Sequence, residues 1–228
     1  MEVLLKQAKN MAGKIYLIGA GPGDPELMTL KAVKAMQQAE VILIDDLVNR
    51  EILQHAPQAR VIEVGKRGGC KSTPQHFINR MMAALAEQGH TVARLKGGDP
   101  FLFGRGGEEM LEMRAAGIEV EVIPGVTSGI AAPATLGIPV THRTCTHGVS
   151  FVTGHLQDGR SGQNWQALAQ SGTTLVIYMG MKHLASITSE LLAAGMPPDT
   201  PAAAIQNGSL PQQRHVTSTL SLLVTAVQ

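Results

Sequence analysis

The sequence predicts an α/β chain of two lobes. The N-terminal lobe (1–124) rests on a mostly parallel sheet and the C-terminal lobe (125–228) on a mixed one, with a ligand cleft expected between them. Three observations predict this. Short apolar runs alternate with segments of helical spacing through the first half. Pro124-Gly125, in "IPGVTSG", interrupts that alternation. Near the end, "RHVTSTL" follows "PAAAIQ" across "NGSLPQQ", so one strand succeeds another without a helix and antiparallel pairing is expected.

In chain order, "KIYLIG" (14–19), "VILID" (41–45), "RVIEV" (60–64), "TVARL" (91–95) and "VEVI" (120–123) are the strands of the first lobe. Leu27, Leu30, Val33 and Met36 recur at helical spacing, as do Ile78, Met81, Met82 and Leu85. Thr73-Pro74 reads as N-cap and first residue of that second helix. In the second lobe, strands are expected near 149–153, 174–178, 201–206 and 214–220, and helices near 164–170 and 183–194, with Trp165 anchoring the former.

Composition excludes several classes of partner. A formal net charge of +1 gives no support for nucleic acid or a membrane surface, so an anionic ligand needs a local cluster of cations. No signal peptide and no membrane span is legible, and a cytoplasmic protein is expected. Two cysteines, Cys70 and Cys145, build no disulfide framework, and the eight histidines have no metal-ligand spacing, so no metal is expected.

Two loops carry chemistry. "GAGPGDPE" (19–26) ends the first strand. Its G-x-G-x-G spacing departs from the dinucleotide fingerprint, and Pro22 and Pro25 remove amide donors that a pyrophosphate would use. Asp24 or Thr29 capping the next helix is the alternative reading. The second loop, "KGGDPFLFGRGGEE" (96–109), ends the fourth strand. It holds two of the chain's four phenylalanines. Loops at the carboxyl ends of parallel strands face one crevice, so these two are expected to meet. Gly97 and Gly98 permit close backbone approach, and Asp99-Pro100 fixes a turn suited to a cationic or polyhydroxyl ligand. The competing reading makes Phe101 and Phe103 core residues and Arg105–Glu109 a solvated helix start.

In one order along the chain stand "GAGPGDPELMTLKA", "VILIDDLV", "VGKRGG", "RLKGGDPFLFGRGGEE", "IPGVTSG", "GIPVTHR", "TGH" and "YMGM". From Lys14 onward this set resembles the tetrapyrrole methylase family, and within it the methylases of uroporphyrinogen III. The resemblance implies S-adenosyl-L-methionine as methyl donor, S-adenosyl-L-homocysteine as product, no metal, and a homodimer. Residue by residue, it implies that Pro22, Gly97, Gly98, Asp99, Leu102, Thr127, Ser128, Met179 and Gly208 line the donor. Arg105, Glu108 and Arg143 would face the macrocycle, Asp45 would accept protons and Lys66 would donate them. The implied substrate, uroporphyrinogen III, carries eight carboxylates and would be methylated twice, at C2 and C7, to precorrin-2. Lys66, Arg67 and Lys71 are further cations for it. The family's "YDRLV" reads "IDDLV" here, so Asp46 stands where a cation would bind a carboxylate. A methylase of a later corrin intermediate, a nicotinamide-dependent oxidoreductase and a non-catalytic tetrapyrrole carrier remain as alternatives. With no dehydrogenase or chelatase segment in its sequence, a stand-alone enzyme is expected.

Overall fold

The structure, a computed structural model, describes residues 13–65, 73–155 and 162–228. The chain divides into two compact units between Ser128 and Gly129, at residue 128 rather than 124. Thr127 and Ser128 thus belong to the first unit.

Five strands build that unit: β1 (Lys14–Gly19), β2 (Val41–Ile44), β3 (Arg60–Glu63), β4 (Val92–Lys96) and β5 (Glu119–Ile123). They form an all-parallel sheet in the order β3-β2-β4-β1-β5. Side chains alternate between its faces. Tyr16, Ile18, Ile42, Ile44, Ala93 and Leu95 pack on one side against Ala32, Ala35 and Met36 of α1 (Leu30–Gln38) and against Ile52. Ile15, Leu17, Val41, Leu43 and Val92 pack on the other against Ile78, Met82 and Leu85 of α2 (Gln75–Glu87) and Met113 of α3 (Gly106–Ala115). Each fully buried aliphatic side chain contributes about 1.5–3 kcal/mol, so both faces are firmly covered.

Local details depart from the sequence reading. Leu27 closes a separate 3-10 turn (Pro25–Leu27) capped by Asp24, and α1 begins after Thr29, whose hydroxyl accepts from Ala32 N. Both capping expectations hold, but Leu30 is exposed and small alanines face the sheet instead. The second helix starts at Gln75, with Pro74 in extended backbone at the cap and no side-chain capping bond, so Thr73 does not cap it.

The second unit contains all but the first residue of α4 (Ser128–Thr135), then β6 (Val149–Thr153), α5 (Trp165–Ala169), β7 (Thr174–Tyr178), α6 (Leu184–Ala193), β8 (Pro201–Gln206), β9 (Arg214–Thr219) and α7 (Leu223–Val227). Among the described residues β6 and β7 pair in parallel and β8 and β9 antiparallel, as two separate ribbons. Trp165 is buried with Val152, Ile187, Leu191 and Leu220. No helix among the described residues is long and apolar enough to cross a membrane.

Candidate active site at the carboxyl edge of the first sheet

Strand order places the site. The chain leaving β1 crosses over β4 to reach β2, while the chain leaving β4 crosses over β1 to reach β5. These neighbours therefore send their loops in opposite directions, and a crevice opens at their carboxyl ends. Here the two glycine bends meet. Gly98 N donates to Gly21 O at 2.7 Å and Gly21 N to Gly98 O at 3.2 Å.

The bends are packed too closely for side chains. A Cβ on Gly125, just after β5, would sit 2.3 Å from Gly98 O, and one on Gly19 would sit 2.5 Å from Gly125 N. Gly98 also has φ +66°, which favours glycine. Asp99 fastens this corner: Oδ1 accepts from Phe101 N at 2.8 Å and Oδ2 from Gly125 N at 3.1 Å. Its carboxylate therefore holds two loops together. Pro22, Gly97, Gly98 and Leu102 are half-buried at the same edge, and Thr127 and Ser128 lie beside Gly98.

After Asp99 the chain curls back, with Gly106 N donating to Pro100 O at 2.9 Å. Phe103 and Arg105 take positive φ, 54° and 59°, a conformation that non-glycine residues adopt rarely. Phe101 and Phe103 are 53% and 41% exposed, so they are not core residues; they offer apolar surface at the mouth of the bend. Arg105 binds Glu108 at 2.6 Å on an open surface. That pairing raises the guanidinium and holds the Glu108 carboxyl below its ordinary range.

Next to the bends lies a cluster that sequence reasoning missed. Arg94 and Lys96 share the helix-covered face with Val92, because they alternate along β4, and Asp45 just after β2 falls on the same side. Arg94 Nη2 donates to both oxygens of Asp45 at 2.8 Å, its Nε to Glu109 Oε1 at 3.3 Å and its Nη1 to Leu95 O at 3.1 Å. Lys96 Nζ stands 3.1 Å from Glu109 and 4.0 Å from Asp45. Gln75 donates to Glu109 Oε1 at 2.8 Å. Arg94, Lys96 and Glu109 are all buried, while Asp45 is partly open. Burial, then the neighbouring Arg94, pushes the Lys96 ammonium below the ordinary lysine range, against the pull of Glu109 and Asp45. Glu109 is thus no part of a solvated helix start. Asp45, at the open end of the cluster, sits opposite two cations. The signal was in "VARLK": two charges in a run covered by helices demand buried partners.

In the second unit Met179 is exposed, directly after β7, with φ 57°. Tyr178 Oη accepts from Gly129 N at 2.8 Å. Gly208 lies between Asn207 and Ser209, both at positive φ, and a Cβ on it would be 2.4 Å from Ala132 Cβ. Helix α4 therefore touches the last residue of β7 and the segment that follows β8. Arg143 is exposed in the turn closed by His142 and Thr146. Lys66, Arg67 and Lys71 lie outside the described residues. No group of three or more potential ligands is arranged for a metal among the described residues.

Comparison with known proteins agrees with this architecture. The profile of the Tetrapyrrole (Corrin/Porphyrin) Methylases matches residues 14–223. Over 214 residues the chain is 55% identical to the uroporphyrinogen-III C-methyltransferase of Pseudomonas aeruginosa, covering 94% of this chain and 87% of that protein. The crystal structure of uroporphyrin-III C-methyl transferase from Thermus thermophilus, complexed with S-adenyl homocysteine, superposes with a TM-score of 0.80 at 40% identity, over 93% and 91% of the two chains. A cobalt precorrin-4 methyltransferase superposes with a TM-score of 0.84 at 29% identity, over 96% and 90%. With its whole described fold and nearly its whole length matched, the chain belongs to the tetrapyrrole methylase family.

Proposed function

We propose that this methyltransferase acts on uroporphyrinogen III, placing methyl groups at C2 and C7 to give precorrin-2, with S-adenosyl-L-methionine as donor and S-adenosyl-L-homocysteine as product. The observation that carries this reading is the 55% identity across nearly the full length of a uroporphyrinogen-III C-methyltransferase. The lower identity to a cobalt precorrin-4 methyltransferase, 29%, ranks a later corrin substrate behind it. We also propose a homodimer working in the cytoplasm, on family grounds.

The residues of the first carboxyl edge suit such a donor. The hydrogen-bonded glycine bends present backbone at Gly97 and Gly98, and Leu102 adds apolar surface. Pro22, Thr127 and Ser128 border them, and Met179 and Gly208 are assigned to the donor on family grounds. When bound, the donor supplies an electrophilic methyl group on a sulfonium, whose C–S bonding pair stays with sulfur. The chain's part is to orient and to move protons. Orientation of two reacting atoms lowers a barrier by roughly 7–11 kcal/mol at best. Asp45 accepts the proton that the macrocycle sheds on forming its new C–C bond, and Lys66 donates where the ring needs one. Arg105 is exposed and already paired with a carboxylate, so a substrate carboxylate can take the place of Glu108 on the guanidinium. Arg143 offers a second exposed guanidinium.

The test is stoichiometry with a ligand control. S-adenosyl-L-homocysteine should raise the melting temperature, since a ligand of the native state stabilises it, and two equivalents of it should form per uroporphyrinogen III consumed. Stabilisation by NAD alone, or one equivalent formed, contradicts the reading.

A further inference from the structure

Glu109 is fully buried, yet it carries a carboxylate and no substrate could reach it. It stands in the first full turn of α3, three residues into the helix that starts where the Asp99–Arg105 bend ends. Lys96 Nζ lies 3.1 Å from each of its carboxylate oxygens. A buried ion pair is weak evidence for stability, because desolvation offsets the attraction. Apolar residues would fill the same space at less cost. The geometry gives the carboxylate another task. Arg94 spends its Nε on Glu109, its Nη1 on Leu95 O and its Nη2 on Asp45. With three fixed partners the planar guanidinium has one orientation, and the Asp45 oxygens follow it. Lys96 adds a second cation 4.0 Å from Asp45, itself anchored on Glu109. Every cation facing Asp45 from β4 is therefore moored to this one carboxylate.

We propose that Glu109 is a positioning residue for the reaction: it locks Arg94, and through Arg94 it sets where the Asp45 carboxylate points. This rests on the reading of Asp45 as proton acceptor given above. The polar groups around Glu109 are Arg94 and Lys96 from β4 and Gln75 from α2; Glu112, the next acid on α3, is taken up by Asn79.

The experiment measures turnover of uroporphyrinogen III and affinity for S-adenosyl-L-homocysteine in Glu109→Gln, Asp45→Asn and the double variant, with melting curves as a control. Glu109→Gln should turn over roughly ten- to a hundred-fold more slowly, the range expected from a small misplacement of a reacting group. Donor-product affinity should stay within about two-fold of wild type, because the glycine bends are untouched. Adding Glu109→Gln to Asp45→Asn should slow the enzyme no further. Full turnover in Glu109→Gln, or losses that multiply in the double variant, overturns the proposal while leaving Asp45 its role. Unchanged turnover in Asp45→Asn removes the role of Asp45, and that of Glu109 with it. If Glu109→Gln does not fold, Glu109→Leu/Lys96→Met removes one charge of each sign and leaves Arg94 Nε without its carboxylate partner. It should show the same loss, and normal turnover in it overturns the proposal.

Discussion

Arg94 donates through one nitrogen to both oxygens of Asp45, 2.8 Å away, although one residue is buried in β4 and the other stands at the open edge of the sheet. The carboxylate at the candidate site is therefore held by the core. Asp45→Asn keeps the shape and loses the charge. It should lower turnover by about 100-fold or more, the range of general-base catalysis, and leave donor binding intact. Equal losses in both, by initial rates and calorimetry, indicate a binding role.

Removing the guanidinium strands two carboxylates. Arg94→Leu should destabilise the fold by about 3–5 kcal/mol, the usual result when one partner of a buried pair is deleted. Urea denaturation checks this. A loss below about 1 kcal/mol means that water or Lys96 already neutralises Asp45 and Glu109.

The glycines of the bends should separate by mechanism. At Gly98 a Cβ has room, 3.8 Å from Thr127, but the backbone is left-handed. Gly98→Ala should cost about 1–2 kcal/mol, the strain of that conformation. At Gly125 a Cβ would press on Gly98 O at 2.3 Å. Gly125→Ala should cost more than Gly98→Ala and weaken donor binding further, because it pushes the two loops apart. Thermal melts and donor titrations of both variants decide, and the reverse order is evidence against the packed corner.

Arg105 is exposed, so its loss should spare the fold. Arg105→Ala should raise the KM for the macrocycle several-fold, and the effect should shrink as salt screens it. The melting temperature and the donor affinity should not move. A fall in kcat with unchanged KM excludes a carboxylate-binding role.

Away from the site, Lys14 and Lys31 each hold Glu121 at 2.7 Å, and these pairs keep its carboxyl near about 2 instead of 4.5. The folded value is depressed. Its contribution is thus complete above about 4.5 and is lost as the pH falls toward about 2. Glu121→Gln should lose less than about 1 kcal/mol at pH 7, as partly exposed pairs do. The gap to wild type should close on acidification. A gap that widens below pH 4.5 contradicts this linkage.

Much of this was legible in the sequence, for identifiable reasons. The strands β1, β4 and β5 end where glycine or proline follows an apolar run, so the edge carrying the bends followed directly. Their meeting followed from parallel topology, and Gly21 and Gly98 are in fact hydrogen-bonded. Apolar spacing failed where helices present unusual faces. In α3 Glu109 is fully buried while Leu111 is 65% exposed, because the strand beneath offers Arg94 and Lys96 instead of aliphatic side chains. In α1 Leu30 is exposed while Ala32 and Ala35 face the sheet. Hydrophobicity alone ranks these residues in the wrong order. Only a pairing argument, asking where each charge in "VARLK" finds its partner, recovers the cluster.

The most direct measurement is the mass of the macrocycle recovered after incubating uroporphyrinogen III with methyl-labelled S-adenosyl-L-methionine and the purified protein. The account predicts two labelled methyl groups on carbon, with none beyond two at long times. A macrocycle of unchanged mass, or one that stops at a single methyl group, contradicts it.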